Sequence, residues 1–208
     1  MKAIKKVSAL LDGLKVVPVV VLENEQQTIG LCDALCEGGI DVIEITLRHE
    51  FGLSAISLAK QHRPEMRVLA GTVNSAQDFD AAVAAGADGI ISPGFTVALA
   101  EAARRHDMPY LPGVATGSEI LLAMENGLSE CKLFPAGVVG GVSALKAFSG
   151  PFAEMRFCPT GGVSEKNVAD YLALPNVMCV GGSWLAPTDL VRAGDWAAIT
   201  ELCRDVTS

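Results

Sequence analysis

Lys132 is a lone cation in an apolar run, with Cys131 before it and Leu133, Phe134 and Pro135 after it. Lysine is almost never fully buried without a partner. Burial penalises an ammonium and favours the free amine, the form that attacks a ketone and condenses with it to an imine. The alternative is a side chain that snorkels to a rim and leaves its nitrogen in water. A general acid/base within reach would separate the two readings, and Glu44 offers one. Glu44, Thr46 and Arg48 alternate with Ile43, Ile45 and Leu47, and the two-residue period of a strand sends the polar three to one face. With helices on the apolar face, the polar face looks into the fold. An acid and a cation four residues apart are then buried together, at a cost unless they are paired or used. A structural ion pair is one outcome. Proton shuttling by Glu44 for an imine on Lys132, directly or through one water, is the other.

Glycine and hydroxyl residues cluster at four further places: Ala70-Gly71-Thr72, Ser92-Pro93-Gly94, Thr160-Gly161-Gly162 and Gly181-Gly182-Ser183. A glycine pair lets backbone N–H groups approach an anion, although tight turns use such pairs too. The histidines, His49, His62 and His106, are scattered and offer no zinc set; His49 adjoins Arg48.

These residues need elements to hold them. Short apolar runs alternate with helical patterns at the repeat of a minimal βα unit. Strands are predicted at Val16 to Val21, Asp41 to Leu47, Arg67 to Ala70, Gly89 to Ser92, Pro109 to Leu111, Cys131 to Phe134, Met155 to Cys158 and Val177 to Val180. Helices are predicted at Asn24 to Glu37, Phe51 to His62, Ser75 to Ala85, Val97 to His106, Ser118 to Asn126, Val142 to Phe148 and Glu165 to Leu172. Strict alternation predicts an α/β fold, a compact (β/α)8 TIM barrel, over an open doubly wound sheet, which would expose two edges. In a barrel, polar groups at the C-terminal ends of strands form the site, and the loops after strands seven and eight take phosphate. No linker or hinge is visible, so residues 1–208 are read as a single domain. Met1 to Leu11 reads as an N-terminal amphipathic helix. It is not read as a signal peptide, because Asp12 and Gly13 interrupt it.

Half of the 208 residues are hydrophobic, enough to bury a core without disulfides or a structural metal. The net charge of −8, with no Lys/Arg block, argues against nucleic acid and against anionic membranes as partners. An anionic substrate therefore needs a local basic pocket. Val16 to Leu22 is only strand length, so no membrane span is expected. Cys32, Cys36, Cys131, Cys158, Cys179 and Cys203 lie in apolar segments, which points to a reducing cytoplasm. Cys32 and Cys36 share a helix face, where packing is favoured over a redox or metal pair.

The whole chain resembles the bacterial 2-keto-3-deoxy-6-phosphogluconate (KDPG) and 4-hydroxy-2-oxoglutarate (KHG) aldolases. The resemblance is carried by Val17-Pro18-Val19, Glu44-Ile45-Thr46-Leu47-Arg48, Ala70-Gly71-Thr72-Val73 and Ile91-Ser92-Pro93-Gly94, and continues in Pro112-Gly113-Val114-Ala115-Thr116. Lys132-Leu133-Phe134-Pro135-Ala136, Phe157-Cys158-Pro159-Thr160-Gly161-Gly162 and Gly181-Gly182-Ser183-Trp184 complete it. The resemblance implies a class I aldolase in which Lys132 forms the Schiff base and Glu44 is the general acid/base. It implies that Arg48 and Thr72 hold the pyruvate carboxylate, and that Pro93, Phe134 and Thr160 wall the pocket. Gly161, Gly162, Gly181, Gly182 and Ser183 are implied to bind the substrate phosphate. It further implies a homotrimer acting on keto-acid and aldehyde substrates, with no metal or organic cofactor. Two positions depart from the family's usual pattern, Gly137 in place of Glu and His49 in place of Thr, and both bear on substrate preference. Barrels with glycine phosphate loops host many reactions. A phosphosugar isomerase or epimerase and a non-catalytic phosphometabolite-binding barrel therefore stay open as alternatives.

Overall fold

The computed structural model describes residues 3–11 and 13–207. Strands β1 (Val16–Val20), β2 (Val42–Thr46), β3 (Arg67–Gly71), β4 (Gly89–Ile91), β5 (Tyr110–Leu111) and β6 (Gly113–Val114) are followed by β7 (Glu130–Leu133), β8 (Arg156–Pro159) and β9 (Val180–Gly182). Helices α1 (Glu25–Glu37), α2 (Gly52–His62), α3 (Ala76–Ala84), α4 (Val97–His106) and α5 (Gly117–Glu125) alternate with them. The alternation continues with α6 (Gly141–Phe148) and α7 (Val168–Leu172), and α8 (Thr188–Ala193) and α9 (Trp196–Thr207) end the chain. All strand pairs are parallel. Parallel pairing requires crossover helices, and it explains why β2 and β7 are buried along their full length.

The strands form a six-stranded sheet in the order β5-β4-β3-β2-β1-β9 and a three-stranded sheet in the order β6-β7-β8. Pro112 separates β5 from β6, and its carbonyl still accepts from the Lys132 N–H at 2.8 Å. Single bridges join Phe157 to Val177 and Thr160 to Gly181. Between those bridges one chain advances three residues and the other four, so one residue is extra, as in a β-bulge. The last strand lies at Val180–Gly182 and not at Val177 to Val180, because its ladder is with β1, from Val16 opposite Val180 to Pro18 opposite Gly182.

Helices α1, α3, α4 and α5 start where short polar side chains accept the free N–H groups of a first turn. Asn24 accepts from Gln27 N–H at 2.9 Å, and Ser75 from Asp78 N–H at 3.0 Å. Replacing Asn24 by Ala is expected to lower stability by about 1 kcal/mol, and by Gly only a few tenths. Urea denaturation of the two variants checks this, and equal losses would rule out the cap as the cause.

Two expectations change. The N-terminal segment forms one 3-10 turn, Val7–Leu10, in place of a longer helix; Met1, Lys2 and Asp12 lie outside the described residues. The cause is tertiary. The Lys5 carbonyl accepts from Tyr110 N–H at 3.3 Å, and both the N–H and the hydroxyl of Ser8 donate to the buried Glu130 carboxylate at the head of β7. Helices α8 and α9 have no counterpart among the predicted helices. Helix α9 lies close on α1 because two glycines leave room: a Cβ at Gly30 would sit 2.3 Å from the Trp196 indole, and one at Gly38 2.3 Å from Cys203 Cβ.

All six cysteines are free, five of them buried and Cys36 half-buried. Desolvation pushes the thiols of Cys32, Cys131 and Cys203 up to about 12, which keeps them unreactive. No helix among the described residues is long and apolar enough to cross a membrane.

Candidate active site

Strand β2 supplies Glu44 and β7 supplies Lys132. Their residues are 88 positions apart, yet Lys132 Nζ donates to Glu44 Oε1 at 2.9 Å and to Oε2 at 3.3 Å. Lys132 is 5% exposed and Glu44 2%. The lysine therefore does not snorkel; its nitrogen stays inside, against the Glu44 carboxylate. The Phe134 ring lies beside it, with its centroid 5.4 Å from Nζ. Cys158 stands beside the lysine as its register partner on β8. A hydrogen bond from Cys179 and the nearby lysine charge hold the Cys158 thiol below its ordinary value.

The polar alternation of β2 divides into three fates. Glu44 meets Lys132. The Thr46 hydroxyl donates to the Val20 carbonyl of the neighbouring strand at 2.8 Å, which uses up its polarity in the sheet. Arg48 is not buried beside Glu44 as expected. The strand ends at Thr46, and the turn that follows carries Arg48 to an exposed position at the mouth. An ion pair of Glu44 with Arg48 is thereby replaced by one with Lys132.

Two adjoining cavities receive the remaining candidates. The inner one, about 220 Å³, is walled by Lys132, Glu44, Thr72 and Pro93 together with Arg48, Phe134, Thr160 and Val19. The last four also line an outer cavity of about 290 Å³, whose walls add Gly161, Gly162, Gly181, Gly182, Ser183 and Thr188. Every candidate residue thus lies on one cavity or the other, and Arg48, Phe134 and Thr160 mark their junction. Thr72 follows β3 at φ 61°, a left-handed conformation that a β-branched residue adopts only where its surroundings enforce it.

The two glycine pairs serve different physical needs. Gly161 and Gly162 have φ of 88° and 81°, a backbone that disfavours side chains. Gly181 and Gly182 are instead kept bare by neighbours: an added Cβ would lie 2.4 Å from Thr160 Oγ1 at the first and 1.7 Å from the Trp184 ring at the second. Of the two positions that depart from the usual pattern, His49 accepts from Phe51 N–H through Nδ1 at 3.2 Å. A Cβ on Gly137 would reach within 3.4 Å of Gly162 Cα. His62 and His106 pair with Asp33 and Asp80 on the surface side of the fold. No group of three or more His, Cys, Asp or Glu among the described residues could hold a metal ion.

Sequence reasoning missed Val19 and Thr188. Val19 stands in an apolar run with nothing to distinguish it from core. Thr188 opens α8, in the stretch where no helix was predicted, and the preceding Pro187 was its available signal.

The model of the family described as KDPG and KHG aldolase matches residues 7–202. The 2-dehydro-3-deoxy-phosphogluconate aldolase of Pseudomonas aeruginosa is 48% identical over 200 residues, covering 96% of this chain and 91% of the relative. The KHG/KDPG aldolase of Escherichia coli is 47% identical over 190 residues, covering 91% and 89%. Among solved structures, the KDPG aldolase of Legionella pneumophila, with pyruvate captured at low pH as a covalent carbinolamine intermediate, superposes with a TM-score of 0.94. It is 42% identical, with 97% of this chain and 98% of that one covered. The family match runs through the strands that bring Glu44 to Lys132 and through both glycine loops, so the chain belongs to the KDPG and KHG aldolase family.

Proposed function

We propose that the protein is a class I aldolase that cleaves KDPG to pyruvate and glyceraldehyde 3-phosphate, with KHG, split to pyruvate and glyoxylate, as a second substrate. The observation that carries this reading is the 2.9 Å contact between a buried amine and a buried carboxylate on the wall of a cavity that opens into a glycine-lined one. The names of the relatives support the choice of substrates.

The steps follow from the chemistry of the two groups. Glu44 takes a proton from Lys132, and the free amine adds to C2 of the keto acid. The carbinolamine loses water, with Glu44 returning the proton, and leaves a protonated imine. That imine is an electron sink. Glu44 removes the proton of the C4 hydroxyl, directly or through one water, the bond between C3 and C4 breaks, and the aldehyde departs. C3 of the enamine then takes a proton from Glu44, and water hydrolyses the imine to release pyruvate. Arg48 and Thr72 hold the substrate carboxylate, Pro93 and Phe134 wall the reacting carbons, and Thr160 stands at the junction. Gly161, Gly162, Gly181, Gly182 and Ser183 receive the phosphate of the longer substrate. Arg48 is the local cation that an anionic substrate needs in a chain of net charge −8.

The two sheets are read as one closed (β/α)8 barrel forming a single domain. The continuity of β5 and β6 through Pro112 and the two bridges that tie Phe157 and Thr160 to Val177 and Gly181 support this. Free, buried cysteines support a cytoplasmic setting. Exposed Leu121, Leu122 and Met124 on α5 supply apolar surface for assembly into a homotrimer.

The test is kinetic. Specificity constants for KDPG, its C4 epimer and unphosphorylated KHG are expected to rank KDPG first. Ser183→Ala should raise KM for KDPG about 10- to 100-fold, the effect of losing one hydrogen bond to a charged group, and leave KHG cleavage unchanged. An equal effect on both substrates would remove Ser183 from the phosphate site, and absence of turnover with all three would remove the function.

A further inference from the structure

The approach of Glu44 to Lys132 depends on a position that lines neither cavity. Gly71, the last residue of β3, is buried; its register partner on β2 is Thr46, and its carbonyl accepts from Leu47 N–H at 2.8 Å. A Cβ at this position would lie 2.3 Å from Glu44 Oε1, 2.7 Å from Cγ and 2.9 Å from Cδ. The carboxyl group therefore rests directly on the bare Cα. Gly71 is not among the glycines of positive φ, so its backbone suits any residue. What requires glycine here is space, and the space is filled by Glu44.

We propose that Gly71 is the positioning residue of the acid/base: its missing side chain is the seat that holds the Glu44 carboxyl against Lys132. The inference rests on the role given above to Glu44.

The clash that an added methyl creates decides how the fold responds. At Gly113 a Cβ would meet backbone, Pro93 O at 2.1 Å and C at 2.3 Å, so relief requires moving a strand. At Gly71 the three atoms it would meet first, Oε1, Cγ and Cδ, all belong to the rotatable side chain of Glu44. Glu44 takes its hydrogen bonds, among the described residues, from Lys132 alone, so no other hydrogen bond resists its rotation. The easiest relief for the fold is to swing the carboxyl away, which keeps β2 and β3 paired and separates the acid from the amine. Loss then falls on the steps in which Glu44 moves protons. Substrate binding, made by the two ends of the molecule, is spared.

The experiment compares kcat and KM of wild type, Gly71→Ala, Glu44→Ala and the double variant, with thermal melts of each. Gly71→Ala is expected to lower kcat about 10- to 100-fold, at or below the range for deleting a general acid/base. KM should stay near wild type, and pyruvate should still be trapped on Lys132 by borohydride. In the Glu44→Ala background the same substitution should change kcat by less than about twofold, because a residue that acts only through Glu44 has nothing left to act through. Should Gly71→Ala fail to fold, a folded double variant supports the seat, since removing the carboxyl removes the clash, and an unfolded one overturns it. A wild-type kcat in Gly71→Ala, or an equal fold loss in both backgrounds, overturns it as well. A wild type that neither cleaves KDPG nor traps pyruvate is a different result, and would remove the role of Glu44 itself.

Discussion

Lys132→Ala is expected to gain no mass from pyruvate and borohydride, whereas the wild type gains a stable adduct confined to the peptide that contains Lys132. Borohydride reduces an imine to an amine that can no longer hydrolyse, so the adduct reports imine formation directly. An isomerase or a silent binding barrel needs no imine, and neither gives this result. The surroundings explain why no other lysine should substitute. Lys132 is buried against a carboxylate, while Lys60, for comparison, donates to Asp88 and to the backbone carbonyls of Pro64 and Met66. Turnover of the variant should fall by on the order of 10⁴ or more, the scale seen when a covalent nucleophile is deleted. The substitution also leaves Glu44 buried without its partner, and breaking such a pair costs about 3 to 5 kcal/mol. A melting curve therefore accompanies the assay. An adduct that persists in folded Lys132→Ala would end the Schiff-base reading.

The second large effect is expected from Glu44→Gln. Glutamine keeps the shape and can still accept from Lys132, but it takes no proton. Pyruvate should bind, and borohydride should still trap it, at a lower rate. Cleavage should slow by about two to four orders of magnitude, the contribution of a positioned acid/base. The two variants thus separate the covalent step from the proton transfers. Unchanged cleavage in Glu44→Gln would move the acid/base role to another group or to solvent.

Much of this site was legible because its two reacting groups break the pattern of their own strands. A lysine between Cys131 and Leu133, and a glutamate between Ile43 and Ile45, stand out against a buried sheet. Their nearness was expected from the chemistry, but the register that creates it was not legible. It arises from closure across 88 residues, and local periodicity carries no information about register between distant strands. Arg48 shows the limit of alternation. The pattern continues through residue 48, the strand stops at Thr46, and beyond that point a polar residue no longer has a face. The glycine loops were recognised from one shared signal, although Gly161 and Gly162 answer to backbone conformation and Gly181 and Gly182 to crowding by Thr160 and Trp184. The last strand was misplaced because its position is set by pairing with β1, at the other end of the chain, which no local propensity encodes. Helix α9 went unassigned although Trp196, Ile199, Cys203 and Val206 recur at helical spacing; what the sequence does not show is its seat on α1, where Trp196 meets Gly30 and Cys203 meets Gly38.

Glu44 belongs to the six-stranded sheet and Lys132 to the three-stranded one, and Pro112 is where the chain crosses between them. The reacting pair therefore straddles a seam instead of lying within one hydrogen-bonded ladder. Strands β2 and β7 share no backbone pairing, so the contact depends on how the two sheets pack together and not on either ladder alone.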